Sequence, residues 1–197
     1  MKKIVLASKN LDKIREIRLA LKTLPFEILS LADFPELPDA VEDGETFEAN
    51  ALIKAKFFRE RTGYACLADD SGLEVDALGG LPGVYSARFA GYHADDNTNN
   101  QTLLRELAKV GVNESAAAYR CALAFVDIDG TVIVTQGKIN GTIKTVAQGN
   151  GGFGYDPYFY INKRKTMAQL TAEEKNLISH RGEALKEMIL RLQQKFS

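Results

Sequence analysis

Four short stretches of this chain, far apart in the sequence, carry the residue types that phosphate and metal chemistry needs. In Ser8-Lys9-Asn10-Leu11-Asp12-Lys13 an apolar run gives way to a helical pattern, so backbone N–H groups and a helix dipole accompany the Lys13 ammonium. Such a loop suits an anionic phosphate, although it lacks the glycines of a Walker loop. Ser8 and Asn10 are equally suited to capping the helix. Asn50 and Lys54, four apart, share one helix face and can approach a common ligand or form an ordinary exposed pair. Asp69-Asp70-Ser71 ends an apolar run that reads as a buried strand, where adjacent carboxylates face opposite sides. Such oxygens suit Mg²⁺, which takes one or two carboxylates and completes its shell with water and substrate phosphates; Glu42 is the candidate second ligand. Phe153-Gly154-Tyr155-Asp156 offers an aromatic face beside a carboxylate, and Lys175 with Ser179-His180-Arg181-Gly182 adds two cations and an imidazole. On an unbroken helix Lys175 and His180 lie about 140° apart, so joint contact with one ligand requires a break near 179–182, which Gly182 favours.

These groups need elements to position them. Lys3–Ala7 reads as a strand, and Leu11, Ile14, Ile17, Leu21 and Leu24 follow at helical spacing. Residues 32–45 form an acidic loop containing prolines, after which Phe47, Ala51, Ala55 and Phe58 mark a helix ending at Gly63. Tyr64–Ala68 is a second strand, ending in Asp69-Asp70-Ser71-Gly72, after which Leu73 and Val75 alternate with Glu74 and Asp76, and residues 78–91 form a loop rich in glycine and proline. Asp95–Lys109 is helical through Leu103, Leu104 and Leu107, and residues 116–136 are two antiparallel strands turning at Asp129-Gly130. Asn140-Gly141 signals another turn before a further strand, and Thr171 with Glu174 forms a capping box ahead of the C-terminal helices. The expected class is α/β, with a mixed, elongated central sheet and flanking helices, all within one domain of residues 1–197.

Two familiar patterns do not fit this frame. Gly149–Gly154 matches the dinucleotide fingerprint G-x-G-x-x-G, but a Tyr-Asp-Pro turn and an aromatic strand-like run follow where a helix must begin. Residues 124–134 (AFVDIDGTVIV) resemble aspartyl-nucleophile phosphatases of the haloacid dehalogenase type, with Asp127 as nucleophile. That chemistry needs a later acidic pair for Mg²⁺; beyond Asp129 the acids are only Asp156, Glu173, Glu174, Glu183 and Glu187. The competing reading is a hairpin.

Composition narrows the class further. With 25 Lys and Arg against 26 Asp and Glu over 197 residues, the net charge of −1 argues against a general nucleic-acid or membrane-surface binder, and 45% hydrophobic residues supply a core. Yet residues 23–53 hold no Lys or Arg at all, whereas residues 2–22 and the last 35 are basic, so cations and candidate metal ligands come from different segments. Cys66 and Cys121 lack CxxC spacing and read as buried reduced thiols. No apolar run approaches the roughly 20 residues of a membrane span and MKKIVLASKN is too short for a signal peptide, so a soluble cytoplasmic protein is expected.

Taken in order, SKNLDK, TFEANALIKA, ADDSGLEVDALGGLPGVYSARFAG, GGFGYDP and EEKNLISHRGEAL resemble the inosine triphosphate pyrophosphatase family from Ile4 to about Leu185, while residues 110–148 match only in pattern. The resemblance implies a homodimer, each subunit with two lobes around a substrate cleft, that hydrolyses ITP, dITP and XTP to the monophosphate and pyrophosphate with Mg²⁺. It implies that the loop Ser8, Lys9, Asn10, Leu11, Asp12 and Lys13, with Lys54, binds the triphosphate. Glu42 and Asp70 would hold Mg²⁺, Asp70 would accept the proton of water, and Asp69 would orient it. Ser71 would contact substrate, Phe153 would stack on the base, and Gly154, Tyr155, Asp156, Lys175, His180 and Arg181 would complete the nucleoside pocket. The physical sense is that a 6-oxo purine offers an acceptor where adenine offers an amino donor, so donors in the pocket would be left unpaired by adenine.

Overall fold

The computed structural model describes residues 2–196 and contains one six-stranded sheet in the order β2-β1-β3-β4-β5-β6. Its elements are β1 (Lys2–Leu6), α1 (Leu11–Leu21), β2 (Phe26–Ser30), α2 (Phe47–Thr62), β3 (Ala65–Val75), α3 (Asp96–Lys109), β4 (Glu114–Val126), β5 (Val132–Lys144), β6 (Phe159–Tyr160), α4 (Ala172–Ile178) and α5 (His180–Phe196). β1 pairs parallel with β2 and β3, and β5 pairs antiparallel with β6, so the sheet is mixed as expected. β4 and β5 are neighbours joined by five residues, too few for a parallel crossover, so they form the hairpin foreseen at Asp129-Gly130.

The chain divides into two compact units: residues 1–70, 121–137 and 181–197 in the first, residues 71–120 and 138–180 in the second. In the first, strand alternation sorts side chains to two faces. Ile4, Leu6, Ala65, Leu67, Leu123 and Phe125 pack with Ile14, Ile17 and Leu21 of α1 and Leu185, Met188 and Leu192 of α5. Val5, Ala7, Cys66, Ala68, Ala122 and Ala124 pack on Ala51, Ala55 and Phe58 of α2, where small residues let the helix lie close to the strands. In the second unit Leu73, Val75, Tyr119, Ile143, Tyr155 and Phe159 form a core with Leu103 and Leu107 of α3.

Four readings of the sequence need correction. β3 does not end at Asp69 but runs through Asp69-Asp70-Ser71-Gly72 to Val75, because polar residues lie inside the strand where its ends would otherwise be sought. Asn140-Gly141 is not a turn: both residues lie in β5, and a Cβ on Gly141 would stand 2.6 Å from the Phe159 ring and the Tyr160 carbonyl, so glycine is there for close packing. Gly182 lies inside α5, and the break after α4 is made by Ser179, whose ψ of 160° is extended. The edge strand β2 was missed, since five residues containing Glu27 lie between a helical pattern and an acidic loop. Elsewhere the helix ends follow the sequence: Thr46 caps α2 at Ala49 N–H, Gly63 stops it in the left-handed region at φ 72°, and Thr171 and Glu174 form their capping box.

Candidate active site

Asp69 and Asp70 are separated by the pleat of β3. Asp69 faces the α1/α5 side, where its Oδ1 meets Lys13 Nζ of α1 at 2.5 Å and its Oδ2 meets Arg181 Nε of α5 at 2.8 Å. The Cys121 thiol of β4 also points at Asp69 Oδ2 (3.2 Å), and Arg181 Nη1 reaches Glu16 Oε2 of α1 at 2.6 Å. Burial alone would raise the Asp69 carboxyl, but Arg181 and Lys13 hold it well below the usual carboxylate range. The Cys121 thiol is pushed up by burial and by Asp69, so it remains a protonated donor.

Asp70 faces the α2 side. Lys54 Nζ of α2 donates to Glu42 Oε2 (2.8 Å) and to the Asp69 carbonyl (3.1 Å), and lies 4.0 Å from Asp70 Oδ1. Burial lifts the Asp70 carboxyl to about 6, opposed by Lys54 and Lys13 and aided by Glu42 and Asp69. Its Oδ2 is buried and has no hydrogen-bond partner among the described residues. Asn50 Oδ1 accepts the Gly44 N–H at 2.8 Å and ties the loop that carries Glu42 to the first turn of α2.

The 8–13 loop is occupied with capping. Asn10 Oδ1 accepts the N–H groups of Asp12 and Lys13 at 3.0 Å each, and Ser8 Oγ accepts that of Asn10. Lys9 pairs with Asp39, Asp12 with Arg15, and Leu11 is exposed, so Lys13 alone of this loop reaches the carboxylates of β3. Ser71 follows on β3, partly buried.

In the second unit Asp156 is the hub. Its Oδ2 accepts from Lys175 Nζ at 2.5 Å and from the Phe153 N–H at 3.0 Å, while its Oδ1 accepts the Tyr119 hydroxyl at 3.2 Å. Lys175 Nζ also stands 4.2 Å from the centroid of the Phe153 ring. The His180 ring stacks on Tyr119 at 4.7 Å and 14°. The extended Ser179 is what brings Lys175 and His180 to one cluster, as the spacing required. Burial, then Asp156, keep the Tyr119 phenol protonated as a donor. Tyr155 is buried with its hydroxyl on the Ser86 carbonyl (2.7 Å), and Gly154 takes the left-handed φ of 63°.

The Arg181 guanidinium is held by Glu16 and Asp69. Glu16, Tyr119 and Cys121 were missed. Glu16 was detectable as the residue three after Lys13 on the same helix face, whereas nothing in the sequence marks Tyr119 or Cys121 apart from strand alternation. Asp127, the nucleophile of the phosphatase reading, sits at the hairpin between β4 and β5, buried against Lys2 (2.7 Å) and Lys195 (3.2 Å), and its backbone closes the turn with Thr131 and Gly130. Its charge is neutralised structurally, which removes that reading.

Among known proteins, the Ham1 family profile matches residues 4–190. A Geobacter sulfurreducens protein named dITP/XTP pyrophosphatase is 50% identical over 186 residues, 94% of each chain. A HAM1 protein from Coxiella burnetii superposes with a TM-score of 0.88 at 38% identity, over 98% of this chain and 100% of that one. A Mycobacterium abscessus structure described as a nucleoside-triphosphatase, dITP/XTP pyrophosphatase, gives 0.74 at 44% identity over 94% and 98%. With the match running nearly end to end through the segments that hold Asp69, Asp70 and Asp156, the chain belongs to the Ham1 family.

Proposed function

We propose that this chain hydrolyses dITP, XTP and ITP to the nucleoside monophosphate and pyrophosphate, clearing deaminated purines from the nucleotide pool. The observation that carries the reading is the divergence of Asp69 and Asp70: one carboxylate is paired with two cations, the other is buried, lifted to about 6 and, among the described residues, short of a partner on Oδ2. A carboxyl near 6 is mostly ionised at neutral pH yet basic enough to accept a proton from water. The names of the Geobacter and Mycobacterium relatives agree.

The donor set fits Mg²⁺. Asp70 Oδ2 is an orphaned buried oxygen, and Glu42 shares the Lys54 ammonium with Asp70. Among the described residues no three His, Cys, Asp or Glu gather to hold a metal unaided. A pair of carboxylates is what Mg²⁺ uses when substrate phosphates and water supply the rest. Glu42 and Asp70 would hold the ion, which when bound would polarise the phosphoryl oxygens.

The remaining roles belong to the protein. Lys13 and Lys54 supply positive charge to the triphosphate, exchanging carboxylate partners for phosphate oxygens. Asp70 takes a proton from the attacking water; the bond from water oxygen to the α-phosphorus forms as the bond from that phosphorus to the bridging oxygen breaks, and pyrophosphate leaves. Phe153 offers its ring to the purine, and Lys175 and His180 present donors to the 6-oxo group.

Further parts of the proposal are that residues 1–197 act as one catalytic domain, that the enzyme is a homodimer and that it works in the cytoplasm. Cys66 and Cys121, buried and unbridged, with Cys66 pushed up to about 12 by burial, are in keeping with a reducing compartment. No helix among the described residues is long and apolar enough to cross a membrane. The test is a product assay with dITP, XTP and Mg²⁺: pyrophosphate and monophosphate are expected in equal amounts. Release of orthophosphate alone, or no turnover, would refute the proposal.

A further inference from the structure

Helix α3 contributes to no role described above, yet its first turns grip the loop that carries Phe153. Asp96 Oδ2 accepts the Gly154 N–H at 2.6 Å, and Asn100 Nδ2, one turn later on the same face, donates to the Gly154 carbonyl at 2.9 Å. Both polar groups of one residue are thus held by one helix, at a glycine whose φ of 63° ordinary side chains resist. Asn99, between them, donates to the Ala87 carbonyl and accepts the Ala90 N–H, so α3 fixes the preceding loop as well. Asn100 is 7% exposed and its Oδ1 has no hydrogen-bond partner among the described residues. The bond to the Gly154 carbonyl is thus kept although it leaves a buried acceptor of the same side chain unmade, which carries a cost of its own.

The loop so gripped is held by hydrogen bonds on its other side too. Asp156 bonds the Phe153 N–H and the Lys175 ammonium, and Tyr155 is tied to Ser86. Gly154 is the one link between Phe153, which faces the base in the proposed function, and Tyr155, which is anchored in the core. We infer that Asp96 and Asn100 are positioning residues that fix Gly154, hold the Phe153 ring and the Asp156–Lys175 pair in register, and so set the discrimination between 6-oxo and 6-amino purines.

The inference rests on the dITP/XTP reading. It places α3 in substrate selection and leaves the reacting phosphorus to other residues, so the effect belongs in KM and base preference rather than in kcat. The experiment compares the wild-type enzyme with Asp96→Ala, Asn100→Ala, the double variant, and Asp96→Asn, which keeps an acceptor. Pyrophosphate release is measured on dITP and dATP with Mg²⁺, and amide exchange at Gly154 is followed by NMR. In the double variant KM for dITP is expected to rise about tenfold, equivalent to about 1.4 kcal/mol, with kcat within about twofold, and the dITP preference in kcat/KM to fall about fivefold. Gly154 exchange should quicken at least about tenfold in Asp96→Ala and stay near wild type in Asp96→Asn, which should also keep its preference. Faster exchange with unchanged KM and preference overturns the selective role, as does an equal loss on dITP and dATP carried by kcat. Unchanged exchange in Asp96→Ala overturns the grip itself. A wild-type enzyme that releases no pyrophosphate from dITP refutes the nucleotide reading and the selective role with it, while Gly154 exchange still reports on the grip.

Discussion

Asp69 and Asp70 are chain neighbours whose carboxylates point to opposite faces of β3, and the two faces drive their protonation in opposite directions. Toward α1 and α5, Asp69 meets Arg181 and Lys13 and is held well below the usual range despite its burial. Toward α2, Asp70 is lifted by burial to about 6. Titratable groups pushed apart in this way mark which carboxylate stays charged and which exchanges a proton.

The raised carboxyl makes a stability prediction. Between its unfolded value near 3.8 and its folded value of about 6, the native protein binds more protons than the unfolded chain, so metal-free stability falls as pH rises through that window. At neutral pH the ionised Asp70 costs on the order of 2–3 kcal/mol. Asp70→Asn should therefore lose at least about a hundredfold in kcat while melting several degrees higher than wild type at pH 7.5 without Mg²⁺. The difference in Tm should vanish near pH 4. An Asn variant less stable than wild type at pH 7.5 would show that the burial of Asp70 carries no such cost.

Asp69 should behave in the opposite sense. Asp69→Asn removes the charge that compensates Arg181 and Lys13, leaving Arg181, 1% exposed, with Glu16 and without its Asp69 charge. Breaking one partner of a buried pair costs about 3–5 kcal/mol, so a fall in Tm of about 6–20 °C is expected. Arg181→Ala should lower stability likewise and reduce turnover of dITP and dATP by similar factors. A loss confined to the 6-oxo nucleotides would return Arg181 to the base pocket.

The contrast between these two residues shows where the sequence was legible. Their opposite orientation follows from strand period alone, and Lys13, Lys54 and Glu42 were recognisable as charges in the right segments. The partner of each charge was not, because pairing across α1, β3, β4 and α5 depends on which elements are neighbours in the sheet. Arg181 follows His180 in the chain, and its bond to Asp69 across the fold is a pairing that chain order does not show. Gly141 and Gly182 misled for a related reason: a glycine marks a turn or a close approach with the same letter, and only the Phe159 ring beside Gly141 tells them apart.

Asp127 gives a clean negative test. Lys2 and Lys195 neutralise it and its N–H and C=O belong to the hairpin turn. Asp127→Asn should keep kcat for dITP within about twofold while lowering Tm by a few degrees through the lost pairs. Assays of pyrophosphate release and thermal melting decide it, and abolished turnover in a folded variant would reinstate the phosphatase reading.

Gly44 and Asn50 should govern metal affinity without touching the metal. Glu42 lies on a loop that is fastened where the Gly44 N–H meets Asn50 Oδ1 at 2.8 Å, and a Cβ on Gly44 would come within 2.7 Å of that oxygen and 2.8 Å of Ala49 Cβ. Either Gly44→Ala or Asn50→Ala would release the loop, the first by collision and the second by loss of the acceptor. Residues that orient a metal ligand typically change affinity about 10–100-fold when removed. The Mg²⁺ concentration for half-maximal rate should rise about tenfold in both variants, with kcat at saturating Mg²⁺ little changed, because Asp70 is fixed independently by β3. An unaltered Mg²⁺ dependence in both would show that Glu42 is not held by this fastening or does not serve the metal.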